Sequence, residues 1–290
     1  FIRIQMKFIS INLLLLATTI FAVHAEEIGG KLENSAVAWS WHLADGKLQP
    51  AQMADKLNGG VIHFSGECFQ LVLTNGNVVK ASGFKLAGTP REEILKPDLK
   101  SPTLSRHFAG KQLVAKFSDP ERNLSAEWRV ILRDGSTYVR EELTLHATGA
   151  DVPVQKIILF DEKIHGAKTD GTVDGSPVVA GNFFFGYEHP MAQNTAMGGV
   201  VQCSFNRNAV LKNGETLTQS CVLGVAPAGQ MRRGFLAYIE RERAHPYRPF
   251  LHYNSWYDIA WDNRKYNEAE SLNAIDQFGR ELVQKRGDRK

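Results

Sequence analysis

Apolar and polar positions alternate along most of the chain. Val37, Trp39, Trp41 and Leu43 are separated by Ala38, Ser40 and His42, the period of two that a half-buried strand shows. Val61-Ile62-His63-Phe64 and the run from Phe69 to Leu73 continue the pattern. The clearest hairpin rises from Trp128 to Leu132, turns at Arg133-Asp134-Gly135-Ser136 and returns from Tyr138 to Leu145. Val139, Leu143 and Leu145 share one face of the return strand, and Glu141 interrupts that face. Seven Asp-Gly or Asn-Gly steps begin at Asp45, Asn58, Asn75, Asp134, Asp170, Asp174 and Asn213. Such steps supply the positive φ of tight turns. Short strands with almost no helical periodicity, from Ser35 to about Ile239, predict a sandwich. The span is roughly twice the ~100 residues of an immunoglobulin-type sandwich. The expected fold class is therefore mainly β, with a large antiparallel sandwich of two sheets.

Other stretches break this rhythm. Pro90 to Pro102 carries three prolines and mixed charge and predicts a long surface loop. Met231 to Glu242 predicts a last strand over Phe235-Leu236-Ala237-Tyr238-Ile239. The proline-stiffened crossing Ala244-His245-Pro246-Tyr247-Arg248-Pro249 follows, its second proline disfavouring helix just before it. Phe250 to Asp258 then predicts one more strand. Asn267 with Glu270 three residues on forms a capping box. Leu272, Ile275, Phe278 and Leu282 recur at helical spacing, so Glu268 to Lys285 is expected to be an amphipathic helix, closed by Arg286-Gly287. These breaks divide the chain into residues 1–25, a sandwich over 26–247 and a strand–helix tail over 248–290.

The amino end has the pattern of a secretory signal. Charged Lys7 precedes an apolar run from Phe8 to Val23, and Val23-His24-Ala25 forms a small-x-small cleavage site. Met6 is the expected start, and the five residues before it look like translated upstream sequence. A secreted or periplasmic protein, cleaved after Ala25, is expected, with no membrane association after cleavage. Cleavage removes Arg3 and Lys7, so the formal charge falls from +3 to +1. No basic block with interleaved aromatics exists, which argues against a nucleic-acid partner.

Three cysteines are present, Cys68, Cys203 and Cys221. Cys203 and Cys221 flank a predicted hairpin at Asn213-Gly214. Either they form a disulfide, which export permits, or they are buried thiols. No spaced Cys/His set marks a zinc site. No cofactor or metal ligand is expected, although calcium leaves no strict sequence signature. The oligomeric state has no signature either.

One segment combines buried and titratable groups. Gly181-Asn182-Phe183-Phe184-Phe185-Gly186-Tyr187-Glu188-His189-Pro190-Met191 follows Asp174-Gly175-Ser176-Pro177. Three consecutive Phe put rings on both faces of a strand, so both faces must be covered. Glu188 and His189, held by Pro190 at the strand's end, either rim a binding cleft or are solvated turn residues. The chain has no Gly-x-Ser-x-Gly elbow, His-Glu-x-x-His or phosphate-binding glycine loop. Adjacent Glu141 and Glu142 point to opposite faces of a strand, so they form no catalytic pair. Glu127 and Glu142 are possible cross-strand neighbours.

The tail carries Tyr253-Asn254-Ser255-Trp256-Tyr257-Asp258. This resembles the Asn-Ser-Trp segment on the first barrel strand of α-galactosidase-like retaining glycoside hydrolases, the melibiase clan. The two-domain branch of that clan places a β-supersandwich before the barrel, as here, and the segment from Asp174 to Met191 is similar to the late part of such sandwiches. The resemblance implies a single β/α unit of an incomplete (β/α)8 barrel over 248–290. It also implies an oligosaccharide or glycan substrate with a terminal α-linked sugar. Asn254 and Asp258 would bind sugar hydroxyls, and Trp256 and Tyr257 would stack on the sugar, with Glu188 and His189 at the rim.

Such enzymes use two carboxylates about 5–5.5 Å apart, contributed by later barrel strands. Only 43 residues follow Tyr247, against the roughly 250 of a full barrel. No residue here is therefore assigned as nucleophile or general acid, and the chain is expected to be an inactive amino-terminal fragment. The alternative is a non-catalytic carbohydrate-binding or surface-adhesion sandwich module. His252, which faces away from Tyr253, is read as a packed histidine.

Overall fold

The computed structural model describes residues 28–249, 252–262 and 265–285. The predicted signal segment, Phe250, Leu251 and the Arg286-Gly287 cap lie outside them. The chain divides into two compact units between His245 and Pro246.

The first unit is antiparallel throughout. Its strands are β1 (Ile28–Glu33), β2 (Val37–Ala44), β3 (Lys47–Asp55), β4 (Val61–His63), β5 (Gln70–Leu73), β6 (Val78–Lys80), β7 (Lys85–Leu86), β8 (Arg91–Leu95), β9 (Gly110–Asp119), β10 (Leu124–Arg133), β11 (Tyr138–Ala147), β12 (Val152–Lys163), β13 (Lys168–Thr169), β14 (Val178–Ala180), β15 (Phe183–Tyr187), β16 (Gln193–Met197), β17 (Val200–Leu211) and β18 (Thr216–Val225). They form a four-stranded sheet β1-β2-β3-β4, a five-stranded sheet β16-β17-β12-β5-β6, and a nine-stranded sheet β13-β14-β15-β18-β11-β10-β9-β7 with β8 also on β9.

The expected sandwich is present, with one layer split into two sheets. Trp39 of the four-stranded sheet meets Trp128 of the nine-stranded sheet at 5.9 Å between ring centroids. Phe160 of the five-stranded sheet stacks on Phe185 at 4.8 Å. Both smaller sheets therefore bury their apolar face against the large one, in a single core. All seven predicted turn glycines have positive φ.

Four sequence expectations are corrected. Pro90 to Pro102 is not all loop, because β8 adds an exposed edge strand beside β9. The Asn213-Gly214 turn is not a hairpin within one sheet. It carries the chain from β17 in the five-stranded sheet to β18 in the nine-stranded one, and Cys203 and Cys221 are buried free thiols in different layers. Glu127 and Glu142 do not face each other, since Thr144 opposes Glu127 and Arg129 opposes Glu142. The predicted last strand is instead helix α1 (Met231–Glu242). Met231, Phe235, Tyr238 and Glu242 fall at i, i+4, i+7 and i+11 on one helical face. A strand would have aligned Phe235, Ala237 and Ile239 instead. Met231, Phe235 and Tyr238 pack with Phe184 in a second, smaller apolar cluster.

The second unit begins at Pro246. The predicted strand to Asp258 is not formed over residues 252–258, where a 3-10 turn spans Ser255–Tyr257. Asn254 accepts a hydrogen bond from the Trp256 N–H at 3.1 Å, a local bond that competes with a strand ladder, and no neighbouring strand exists among the described residues of this unit. Helix α2 (Glu268–Phe278) has the predicted capping box and continues as a π-helical turn, Gly279–Gln284. Leu272 and Ile275 on its apolar stripe remain exposed.

Candidate functional site

β15 is covered on both faces, as three consecutive Phe require. Phe183 and Phe185 face the sandwich core. Phe184 points outward and meets Phe235 of α1 edge-on at 5.4 Å. Helix α1 is thus the cover of the outer face. Two glycines let it dock. A Cβ on Gly224 would lie 2.0 Å from the Phe184 ring, and a Cβ on Gly234 would lie 2.6 Å from that of Ala226.

Beside this apolar contact lies a cleft of about 450 Å³ of mixed lining, with Gly175, Pro177, Glu188, His189, Pro190 and Tyr238 among its walls. Arg140 is its centre. The Arg140 side chain donates through Nε and Nη2 to Glu188, with contacts at 2.9 and 2.6 Å to Oε2. It also donates through Nη2 to Ser220 Oγ at 3.2 Å and through Nη1 to Glu142 at 3.2 Å. Its Nη1 lies 3.3 Å from Glu242.

Helix α1 closes the network from above. The Tyr238 hydroxyl donates to Glu188 at 2.5 Å. The Tyr138 hydroxyl, on β11, donates to Glu242 at 2.6 Å, and Ser105 Oγ donates to the other oxygen of Glu242 at 3.0 Å. Arg241 ties the helix end to the β10–β11 turn through the carbonyls of Asp134 and Gly135 and lies over the Phe108 ring at 4.1 Å.

The electrostatics follow from this packing. Burial would push the Glu188 carboxyl up, but the Arg140 charge and the hydrogen bonds of Arg140, Ser220 and Tyr238 together hold it below the ordinary carboxylate range. Burial and the neighbouring Glu188 push the Tyr238 phenol up, so it stays a donor. The Tyr138 phenol is raised by burial and by Glu242. A glycosidase acid needs a carboxyl raised toward neutrality. Glu188 is shifted the other way, so it suits hydrogen bonding rather than proton donation.

The structure brings Glu188 and His189 to one cleft. Glu188 is no free rim residue, since its carboxylate is committed to Arg140. His189 packs on Phe205 with ring centroids 4.0 Å apart, and its Nδ1 accepts the Met191 N–H at 3.1 Å.

Asn254, Trp256, Tyr257 and Asp258 lie in the other unit. Asn254 caps the 3-10 turn. Asp258 accepts from the Tyr253 hydroxyl at 2.7 Å. Tyr257 stacks on Trp261 at 6.3 Å, and Trp256 is 47% exposed. An apolar groove of about 540 Å³ in this unit is lined by Tyr253, Ile259, Tyr266, Ile275, Phe278 and Val283 among others. Among the described residues no cluster of three or more His, Cys, Asp or Glu side chains is arranged to hold a metal.

Sequence reasoning missed Arg140, Ser220, Tyr238 and Glu242, which come from three distant elements. The outward alternation of Tyr138, Arg140 and Glu142 was visible, but it reads the same as a solvated strand face.

Neither the comparison with family models nor that with curated proteins gives a match. Solved structures match by fold. A variant of the GH36 α-galactosidase AgaA from Geobacillus stearothermophilus, in complex with stachyose, aligns with a TM-score of 0.53 at 13% identity, over 87% of this chain and 48% of that one. The GH36 α-galactosidase AgaB of the same organism aligns with a TM-score of 0.52 at 12% identity, over 87% of this chain and 47% of that one. An AgaA variant in complex with 1-deoxygalactonojirimycin gives 0.52 at 12% identity, over 87% and 48%. The chain is similar in fold to the amino-terminal β-sandwich part of GH36 enzymes and spans about half the length of these structures.

Proposed function

We propose that this chain is the amino-terminal, glycan-binding part of an exported α-galactosidase-like retaining glycosidase, and that alone it binds sugar without hydrolysing it. The observation that supports this most is the fold likeness to GH36 α-galactosidases over 87% of the chain at a TM-score above 0.5. Two features of the chain are consistent with it. The Asn254–Asp258 segment offers Trp256 and Tyr257 as exposed apolar faces beside carboxamide and carboxylate acceptors for hydroxyls. In the sandwich, the ionised Glu188 has its proton-donating role removed by Arg140, which leaves a cleft for hydrogen bonding.

Two of the solved relatives carry raffinose and stachyose, so an α-galactosyl oligosaccharide is the proposed ligand. Calorimetric titration with raffinose should show saturable millimolar binding. Replacing Trp256 with Ala should weaken it about tenfold, the loss of one stacking contact of about 1–1.5 kcal/mol. Nitrophenyl α-galactoside should not be turned over by the chain alone. Turnover abolished by one Asp or Glu substitution, or no raffinose binding at all, would overturn the proposal.

A further inference from the structure

On the far side of the Arg140–Glu242 pair lies a second cavity, of about 300 Å³, open between the outer face of β10 and β11 and the segment around Leu95 to Arg106. Four arginines line it, Arg106, Arg129, Arg133 and Arg140, against three carboxylates, Asp98, Glu142 and Glu242. The carboxylates are largely engaged. Glu142 holds Arg129 at 3.0 Å and Arg140 at 3.2 Å. Glu242 takes Arg140, Tyr138 and Ser105, and Asp98 takes the Lys100 N–H at 3.1 Å.

The arginines are not neutralised to the same degree. Among the described residues neither Arg106 nor Arg133 has a carboxylate within ion-pairing distance. Arg133 donates only to main-chain carbonyls, those of Phe108 at 2.8 Å and Lys96 at 3.4 Å. Arg129, by contrast, is paired twice, with Glu142 at 3.0 Å and, through Nε, with Glu127 at 3.6 Å. Burial and the like charge of Arg106 both disfavour protonation of Arg133. Two guanidiniums that repel each other across a polar cavity are stable together when an anion shares them.

We propose that this cavity binds a small oxyanion, free or carried on a sugar, with Arg133 and Arg106 as its direct partners and Arg129 behind them. The site stands on the sandwich alone and does not depend on the glycan reading above.

The test is a heteronuclear NMR titration of arginine Nε–H signals with sodium sulfate, against sodium chloride at matched ionic strength, and in parallel with galactose 6-sulfate and galactose. Saturable millimolar shifts of the Arg133 signal with sulfate, and none with chloride, are expected. Arg133→Gln and Arg106→Gln should each weaken sulfate binding about tenfold, measured by calorimetry. Arg232→Gln, on the exposed face of α1, should leave it unchanged. Arg106 is exposed, so its variant keeps the fold if Arg133→Gln does not. Binding of either sulfate or galactose 6-sulfate upholds the site, and the tighter of the two names the anion's source. Equal response to chloride, an equal loss with Arg232→Gln, or equal binding of neutral galactose would overturn it.

Discussion

Strand β11 carries consecutive glutamates into two very different surroundings. Glu141 points into the sandwich core, 3% exposed, and among the described residues no cation pairs with it. Burial, then the nearby Glu162, raises its carboxyl well above the ordinary range. Arg140 and Glu142, its chain neighbours, point outward beneath α1, where Arg140 holds Glu188 ionised in spite of comparable burial. Glu162 falls between the two. It accepts the Ser65 and Gly66 N–H groups at 2.9 and 2.7 Å, yet burial still raises it. Burial pushes all three carboxyls up, the N–H donors reduce the shift at Glu162, and at Glu188 the Arg140 charge together with hydrogen bonds reverses it. On the inner face the Glu141 carboxyl is pushed well up, and on the outer face the Glu188 carboxyl is held down and pinned by Arg140.

The comparison is broken most severely by removing Arg140. Arg140→Leu leaves Glu188 without its cation beneath Tyr238, and urea unfolding should show a loss of about 3–5 kcal/mol. Amide exchange in α1 should rise with it, because the helix is held through Glu188 and Glu242. Next comes the apolar half of the same interface. Gly224→Ala drives a methyl into the Phe184 ring and should cost about 1–3 kcal/mol, although alanine is the better residue by intrinsic preference.

The inner face should respond in the opposite sense. Glu141 has its folded pKa above the unfolded value, so its contribution is fully present below about pH 4.3 and is lost as pH rises toward the folded value. Glu141→Gln should therefore flatten the decline of stability as pH rises above the ordinary carboxylate range, measured by urea unfolding across a pH series. Glu188 gives the mirror-image pH dependence. Its folded pKa is depressed, so its contribution is present above about pH 4.3 and is lost as pH falls through the folded value. Glu188→Gln should remove part of the acid limb of the stability–pH curve.

Much of this fold was legible from local signals. The alternation over Val37–Leu43, the Asp134-Gly135 hairpin, the Phe183–Phe185 run and the Asn267–Glu270 box are each signalled within a few residues of sequence. What failed depended on distant partners. Phe235 to Ile239 suits either a strand or a helix, and only the Phe184 ring and Gly224 on other strands select the helix. The Asn213-Gly214 turn is locally a hairpin turn, and the sheet each flanking strand joins is decided elsewhere. Phe250 to Asp258 is rich in aromatic and apolar residues, but a strand needs a neighbour to pair with. Glu188 was picked out because it ends a covered strand. Its partner Arg140, 48 residues away, could not be found by spacing.

Most of the site's chemistry depends on Arg140 holding the Glu188 carboxyl down while burial pushes that of Glu141 up. Carbon-13 NMR of the glutamate side-chain carboxyls, followed from pH 3 to pH 9, measures both in one titration. The Glu141 transition should lie above the ordinary carboxylate range and that of Glu188 below it, and Arg140→Leu should move the Glu188 transition upward. A Glu188 that titrates near neutrality in the intact protein, or a Glu141 that ionises in the ordinary carboxylate range, would contradict it.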